Sequence, residues 1–243
     1  MRRYWFLVLV TGWAISPLVG VAVAWGKNNA NYADVRATEA EKNYYWGAGV
    51  NIGLPATTPS ISKGGGSACW VNLDKADGVH WIQCGYQIGN GKSTQMFYEI
   101  LLSPKIQMKK YDCGAPVGNA YYSIEFDPSK EGEGAWDLEA GGKALLPKVK
   151  YFSCYWTEAI WAGESVLEAD RLWGTQTDPV LFIDMHIKTK KDGWAFVDLT
   201  KTDTYKTEVS SNTVAGCEFY THQDPGDDTG ASKNSSFQTY DKR

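Results

Sequence analysis

The sequence predicts an all-β protein built as an antiparallel β-sandwich or jelly roll. Short runs of alternating apolar and polar residues recur along the chain, and turn sequences such as Asn90-Gly91-Lys92 join them. The composition agrees, because 11 Trp, 14 Tyr and 25 Gly are typical of twisted sheets with glycine-rich turns. Long helical patterns are few, which argues against a parallel sheet with crossover helices.

The first 24 residues have the layout of a secretory signal peptide. Two arginines precede an apolar run that ends in Ala22-Val23-Ala24, a small-residue site suited to cleavage. The run is close to the length that spans a membrane, but two glycines and a proline interrupt it. We therefore expect cleavage after Ala24 and a secreted protein, extracellular or periplasmic, with no membrane attachment afterwards.

The remaining chain divides by composition into three parts. Residues 25–66 are polar and turn-rich and are predicted to be a leader and spacer, residues 67–222 are predicted to form the β-sandwich domain, and residues 223–243 are predicted to be a disordered tail. Within the domain, strands are predicted at 68–73, 79–87, 95–101, 120–126, 135–139, 143–149, 151–159, 180–187, 194–199 and 217–221.

The charge balance limits the partners. The formal charge is -4, and loss of the two signal-peptide arginines makes it 22 minus 28, or -6. An acidic protein is a poor match for nucleic acid or for an anionic membrane surface. The spacing of the His and Cys residues shows no metal-binding motif, so we expect no metal or cofactor, and we expect a monomer.

The five cysteines are Cys69, Cys84, Cys113, Cys154 and Cys217. In an exported chain, paired disulfides are the default expectation, with one thiol left over. Cys69 and Cys84 flank a predicted hairpin and are therefore candidates for proximity. The sequence does not reveal the connectivity.

Two neighbouring strands carry an amide and a carboxylate among aromatic and aliphatic residues. Alternation places Trp81 and Gln83 on one face, and Glu99 falls on the matching face of the next strand. A glutamate with a raised pKa can act as a general acid or base toward water, and a glutamine NH₂ can stabilise an oxyanion. The alternative interpretation is a hydrogen-bonded structural pair without chemistry.

Three motifs carry a resemblance. The segments "ACWVNLD" (68–74), "WIQCG" (81–85) and "FYEILLSP" (97–104) follow each other at short spacing, and "TEAIWAGES" (157–165) comes later. Their order resembles the glutamic peptidases, or eqolisins, and their bacterial relatives, with the plant neprosin-type peptidases as a more distant possibility. The resemblance implies a concanavalin A-like sandwich and an acid endopeptidase that acts on polypeptides.

The resemblance also assigns roles to residues. Gln83 matches the catalytic glutamine and Glu164 the catalytic glutamate, with Glu158 as its rival. Where the family has a glycine after Trp-Val, this chain has Asn72. The residues expected to line the same cleft and bind substrate are Trp70, Trp81, Glu99 and Glu158.

Two other functions remain open. A lectin-like sandwich would stack sugar rings on exposed tryptophans, with Trp70, Trp81, Trp136 and Trp161 as candidates. A glycoside hydrolase would use two carboxyls, Glu99 and Glu164, at a separation that matches retaining or inverting chemistry.

Overall fold

A computed structural model describes residues 31–39, 44–75, 80–89, 91–103, 106–110, 112–116, 118–130, 136–145, 156–197, 199, 205–211, 213–219 and 235–243. Within these residues the chain forms strands and one short 3₁₀ helix (Pro128–Lys130), and there is no α-helix. Accordingly, the described part contains no helix of the length and apolar character needed to cross a membrane.

The strands, in chain order, are β1 (Asn31–Glu39), β2 (Tyr45–Gly53), β3 (Gly66–Asp74), β4 (Trp81–Gly89), β5 (Gln95–Ser103), β6 (Ile106–Lys110), β7 (Ala120–Phe126), β8 (Trp136–Ala140), β9 (Lys143–Ala144), β10 (Glu158–Ser165), β11 (Val180–Thr189), β12 (Gly193–Phe196), β13 (Tyr205–Ser211), β14 (Ala215–Phe219) and β15 (Phe237–Asp241).

These strands form two antiparallel sheets. A seven-stranded sheet has the order β13-β1-β10-β3-β4-β5-β6, and an eight-stranded sheet has the order β14-β15-β11-β2-β7-β8-β9, with β12 paired to β11. The prediction of an all-β antiparallel sandwich is confirmed.

The main core lies between the sheets because successive side chains on a strand point to opposite faces. Cys69, Val71 and Leu73 of β3 are buried in this core, together with the alternate residues of β4, β5, β2 and β7. The remaining residues of β3, β4 and β5 therefore point away from the core. We call this side of the seven-stranded sheet the outer face.

The predicted leader and tail are wrong where the structure describes them. β1 and β2 fall within residues 25–66, and β15 falls within residues 223–243. Each is an interior strand, and β15 lies between β14 and β11, where Phe237 stacks on Phe182 with ring centroids 4.4 Å apart. Burial of these apolar side chains outweighs the polar composition around them. The proposed signal peptide, residues 1–24, lies outside the described residues.

The disulfide prediction is also wrong for the described cysteines. Cys69, Cys84, Cys113 and Cys217 are free, and Cys154 lies outside the described residues. Cys69 is opposite Tyr86 and Cys84 is opposite Val71, so the two hairpin cysteines are diagonal neighbours. Diagonal neighbours are about 7–8 Å apart, which exceeds the Cα separation that a disulfide bridges.

A buried carboxylate anchors the end of β10 to the start of β3. Asp170 accepts hydrogen bonds from the backbone N–H groups of Ser62 (2.7 Å), Gly66 (2.9 Å) and Leu167 (3.3 Å). A Cβ atom at Gly65 would lie 1.9 Å from Asp170 Oδ2, so this close approach requires glycine. The turn therefore fixes where β10 ends, just after Glu164.

We predict that Asp170→Asn destabilises the fold. The amide NH₂ would face backbone donors that the carboxylate now satisfies, so the free energy of unfolding should fall by roughly 2–4 kcal/mol in urea denaturation. Asp178→Asn is the matched control, because Asp178 accepts a solvent-exposed bond from Thr57 N–H at 3.1 Å. A loss no larger at Asp170 than at Asp178 would contradict the anchoring role.

Candidate active site

The outer face carries polar side chains that are nevertheless buried. Carboxylates and amides are rarely buried without a structural partner or a function, so their accumulation on one face marks a candidate active site. The buried members are Asp34, Asn72, Asp74, Gln83, Glu99 and Glu158.

Gln83 and Glu99 are in direct contact. The register aligns Asn72, Gln83 and Glu99 on the adjacent strands β3, β4 and β5, and Gln83 Nε2 donates a hydrogen bond of 3.2 Å to Glu99 Oε2. Glu99 therefore fixes the orientation of the Gln83 amide. The predicted sharing of one face by these two side chains is confirmed.

Glu164 lies across Trp70 from this pair. It is half-buried at the end of β10, and the register makes it a diagonal neighbour of Asp34 on β1 and of Trp70 on β3. Burial raises the pKa of Glu164 to about 8; the Trp70 side chain opposes this shift by hydrogen bonding, and the negative charges of Asp34 and Glu99 add to it. The carboxyl is therefore protonated at neutral and acid pH.

The backbone does not bring Gln83 and Glu164 side by side. Both are diagonal neighbours of Trp70, and two diagonal steps place their Cα atoms about 15 Å apart. Their side chains must therefore lean over Trp70 to share a water.

Glu158, the rival glutamate, has a different environment. Its backbone is nearer to Gln83, because Glu158 is a diagonal neighbour of Asn72. However, Arg36 Nη1 donates a hydrogen bond of 3.2 Å to Glu158 Oε2, forming a largely buried ion pair. This partner holds the Glu158 carboxyl toward β1.

An apolar cluster surrounds the polar groups of the outer face. Its members are Ala68, Trp70, Phe97, Ile160 and Ala162. Trp81, the other predicted binding tryptophan on this face, is also buried. The described residues contain no group of three or more His, Cys, Asp or Glu side chains placed to hold a metal ion. The outer face thus offers amides, carboxyls and indole rings to a ligand.

The four tryptophans expected to form an exposed row in a lectin do not form one. All four candidate tryptophans are buried, and Trp136 and Trp161 belong to the main core because alternation turns them inward. Among the described residues, the exposed large hydrophobic side chains are Tyr32 (41%) and Trp194 (38%), and they lie on different sheets.

Sequence reasoning missed the contribution of β1. Tyr32, Asp34 and Arg36 all lie on the outer face, opposite Glu164, Ala162 and Ile160. A signal for them was present, because Ala33, Val35 and Ala37 alternate with these polar residues over the whole strand. This alternation was not recognised because two of the three buried residues are alanines and the surrounding sequence is polar.

The fold and site define a β-sandwich with a buried amide–carboxyl face, and solved structures share this fold. One is Scytalido-glutamic peptidase with a transition-state analogue inhibitor, at 12% identity and a TM-score of 0.57. Another is SCP-B, a member of the eqolisin family, in complex with the tripeptide Ala-Ile-His, at 12% identity and a TM-score of 0.54. Each match covers 87% of this chain and 98% of the other.

Comparison of the sequence alone found no relative. No protein-family model matches it, and no curated protein matches it. At such low identity, the structural likeness shows that this chain has the eqolisin fold. Activity is a separate question, which depends on the residues of the outer face.

We predict that the Glu164 carboxyl destabilises the protein as pH rises. With a pKa of about 8 in the folded state, against an ordinary value of 4.5, the folded protein binds this proton more tightly than the unfolded chain, so stability is lost between those values. Each pKa unit corresponds to about 1.4 kcal/mol. Between pH 5 and pH 8, the free energy of unfolding of Glu164→Gln should therefore rise relative to that of wild type by at least about 1.4 kcal/mol.

The measurement is urea denaturation at a series of pH values. Glu164→Asp is the matched control, because it retains a carboxyl in the same environment and should keep most of the decline. A constant difference between Glu164→Gln and wild type across this pH range would show that the pKa of Glu164 is not raised.

Proposed function

We propose that the protein is a secreted acid endopeptidase of the glutamic type, which hydrolyses peptide bonds with Gln83 and Glu164. The observation that carries the proposal is Glu164, a half-buried carboxyl with a raised pKa, set across Trp70 from an amide that Glu99 holds in place. The eqolisin fold supports the same chemistry. Export after cleavage at Ala24 is part of the proposal.

In this mechanism Gln83 stabilises the developing negative charge. Its Nε2 has two hydrogens, and Glu99 accepts one of them. The other is available to the carbonyl oxygen of the scissile peptide bond. Because Glu99 orients the amide before substrate arrives, the donor does not have to reorganise as charge develops.

Glu164 activates the water. Below about pH 8 its carboxyl is protonated, and one oxygen accepts a proton from the attacking water while the other donates its proton to the carbonyl oxygen. The water oxygen bonds to the carbonyl carbon and the carbonyl π bond breaks. Negative charge develops on the carbonyl oxygen next to Gln83 before the Glu164 proton reaches it, and the resulting tetrahedral intermediate is neutral. Glu164 then protonates the amine nitrogen and takes a hydroxyl proton as the C–N bond breaks.

The environments of the two glutamates support Glu164 rather than Glu158 in this role. A proton-transfer group must exchange its proton during each cycle, whereas the Glu158 carboxyl is bound in an ion pair with Arg36. Glu99 is unsuited to act as a second catalytic carboxyl, since it is buried and bonded to Gln83. This weakens the glycoside-hydrolase alternative.

We predict that an unfolded protein substrate is cleaved by wild type and spared by two variants. Glu164→Gln should lower kcat about 10²–10⁴-fold through loss of proton transfer, and Gln83→Ala about 10²–10³-fold through loss of the oxyanion donor. Glu139→Gln, an exposed change on β8, should cleave like wild type. Loss of activity in Glu158→Gln with full activity in Glu164→Gln would assign the role to Glu158 instead.

The pH profile gives a further prediction. Because the protonated form of Glu164 is the active one, kcat/KM should fall as pH rises through about 8, the pKa of this carboxyl in the free protein. The residual kcat/KM of Glu164→Gln should not fall in this pH range. A wild-type rate that rises through the same pH would mean that the ionised carboxylate is the active form, contrary to the mechanism above.

A further inference from the structure

Asn72 is a buried polar residue that the mechanism has not used. Its side chain is 0% exposed, and neither Nδ2 nor Oδ1 has a hydrogen-bond partner in the described structure. Gln83 Oε1, on the adjacent strand β4, also has no hydrogen-bond partner. Buried amide groups without partners destabilise a fold, so three such atoms on two adjacent side chains call for a ligand.

The register makes these two side chains a pair. Asn72 is directly opposite Gln83, and directly opposed residues have Cβ atoms about 4.5–5.5 Å apart. On the other side of Asn72 lies Ile160, which offers no polar group. The free polar atoms of the pair therefore belong to a single locus on the outer face.

The donors and acceptors of the two carboxamides define which ligand groups can bind them. Nδ2 donates, while Oδ1 and Oε1 accept, so the matching ligand presents a carbonyl oxygen and an N–H group. An extended peptide supplies both on one edge, because a residue's own N–H and C=O point to the same side of the strand. A depsipeptide in which an ester oxygen replaces that N–H leaves an acceptor unpartnered, which a buried site penalises strongly.

We propose that Asn72 and Gln83 form a two-amide site for the substrate peptide group. Asn72 Nδ2 is the second hydrogen-bond donor to the scissile carbonyl oxygen, beside Gln83 Nε2. Asn72 Oδ1 accepts from the N–H of the substrate residue that carries this carbonyl. This inference rests on the proposed function and deepens it.

The test separates binding from stability with two variants. Asn72→Leu has similar size and no polar atoms, and Asn72→Gly removes the side chain entirely. A peptide aldehyde is the probe, because its hydrate imitates the tetrahedral intermediate without requiring turnover. Asn51→Leu, on β2 of the other sheet, is the matched control.

Asn72→Leu should unfold at the same temperature as wild type or higher, since an unpartnered amide is gone. Its affinity for the aldehyde should fall about tenfold or more, as expected for loss of an oxyanion donor. For peptide cleavage, kcat should fall by a similar factor with KM changed less than about threefold. The rate ratio of peptide to a depsipeptide with an ester oxygen in place of that N–H should also fall in both Asn72 variants.

Other outcomes overturn the inference in recognisable ways. Full aldehyde affinity in both Asn72 variants rejects the two-amide site and leaves the peptidase proposal intact. A lower unfolding temperature of Asn72→Leu together with full activity of Asn72→Gly makes Asn72 structural. Aldehyde binding that depends on Asn72, without cleavage by wild type, supports the site and rejects hydrolysis. No binding and no cleavage by wild type reject both.

Discussion

The structure depends on the register of four neighbouring strands, β10, β3, β4 and β5. Because side chains alternate with a period of two, this register sends one set of residues into the core and the other set onto the outer face. A slip of one residue on β4 would place Gln83 in the core and Cys84 on the outer face. The hydrophobic set, including Val71 and Ile82, prevents that slip. Core packing therefore fixes the positions of the polar groups.

The polar residues of the outer face lower the stability of the fold. Asn72 and Gln83 bury amide atoms without partners, and Glu164 is a carboxyl that burial and two nearby negative charges make hard to ionise. Hydrophobic side chains would suit these positions better if folding were the only requirement. Polar groups retained at such a cost are characteristic of binding and catalytic sites.

The sequence predicted β3, β4, β5, β7 and β11 closely. It missed β1, β2, β6, β13 and β15, and it placed a strand at 151–159 where β10 spans Glu158–Ser165. In β4 and β5 strong alternation flanks a tight turn, so both the strands and the Gln83–Glu99 contact follow from local pattern. In β1 the buried residues include Ala33 and Ala37, whose small side chains give a weak signal. The choice between Glu158 and Glu164 depends on Arg36, which reaches Glu158 only because β1 pairs with β10. That pairing is non-local and leaves no trace in the sequence motifs.

Burial of the outer face also constrains how a substrate is used. Gln83 and Asn72 are both 0% exposed, so under the proposed mechanism the side chains around them have to shift before a peptide bond reaches the amides. Once covered, the site holds its donors in a dry, low-dielectric environment, where each hydrogen bond to a developing oxyanion is stronger than in water. The free energy of opening lowers the apparent affinity for every substrate by the same factor. A long unfolded chain offsets this cost with contacts beyond the scissile bond, whereas a dipeptide cannot. Under the proposed mechanism, the buried face thus favours extended polypeptides over small amides.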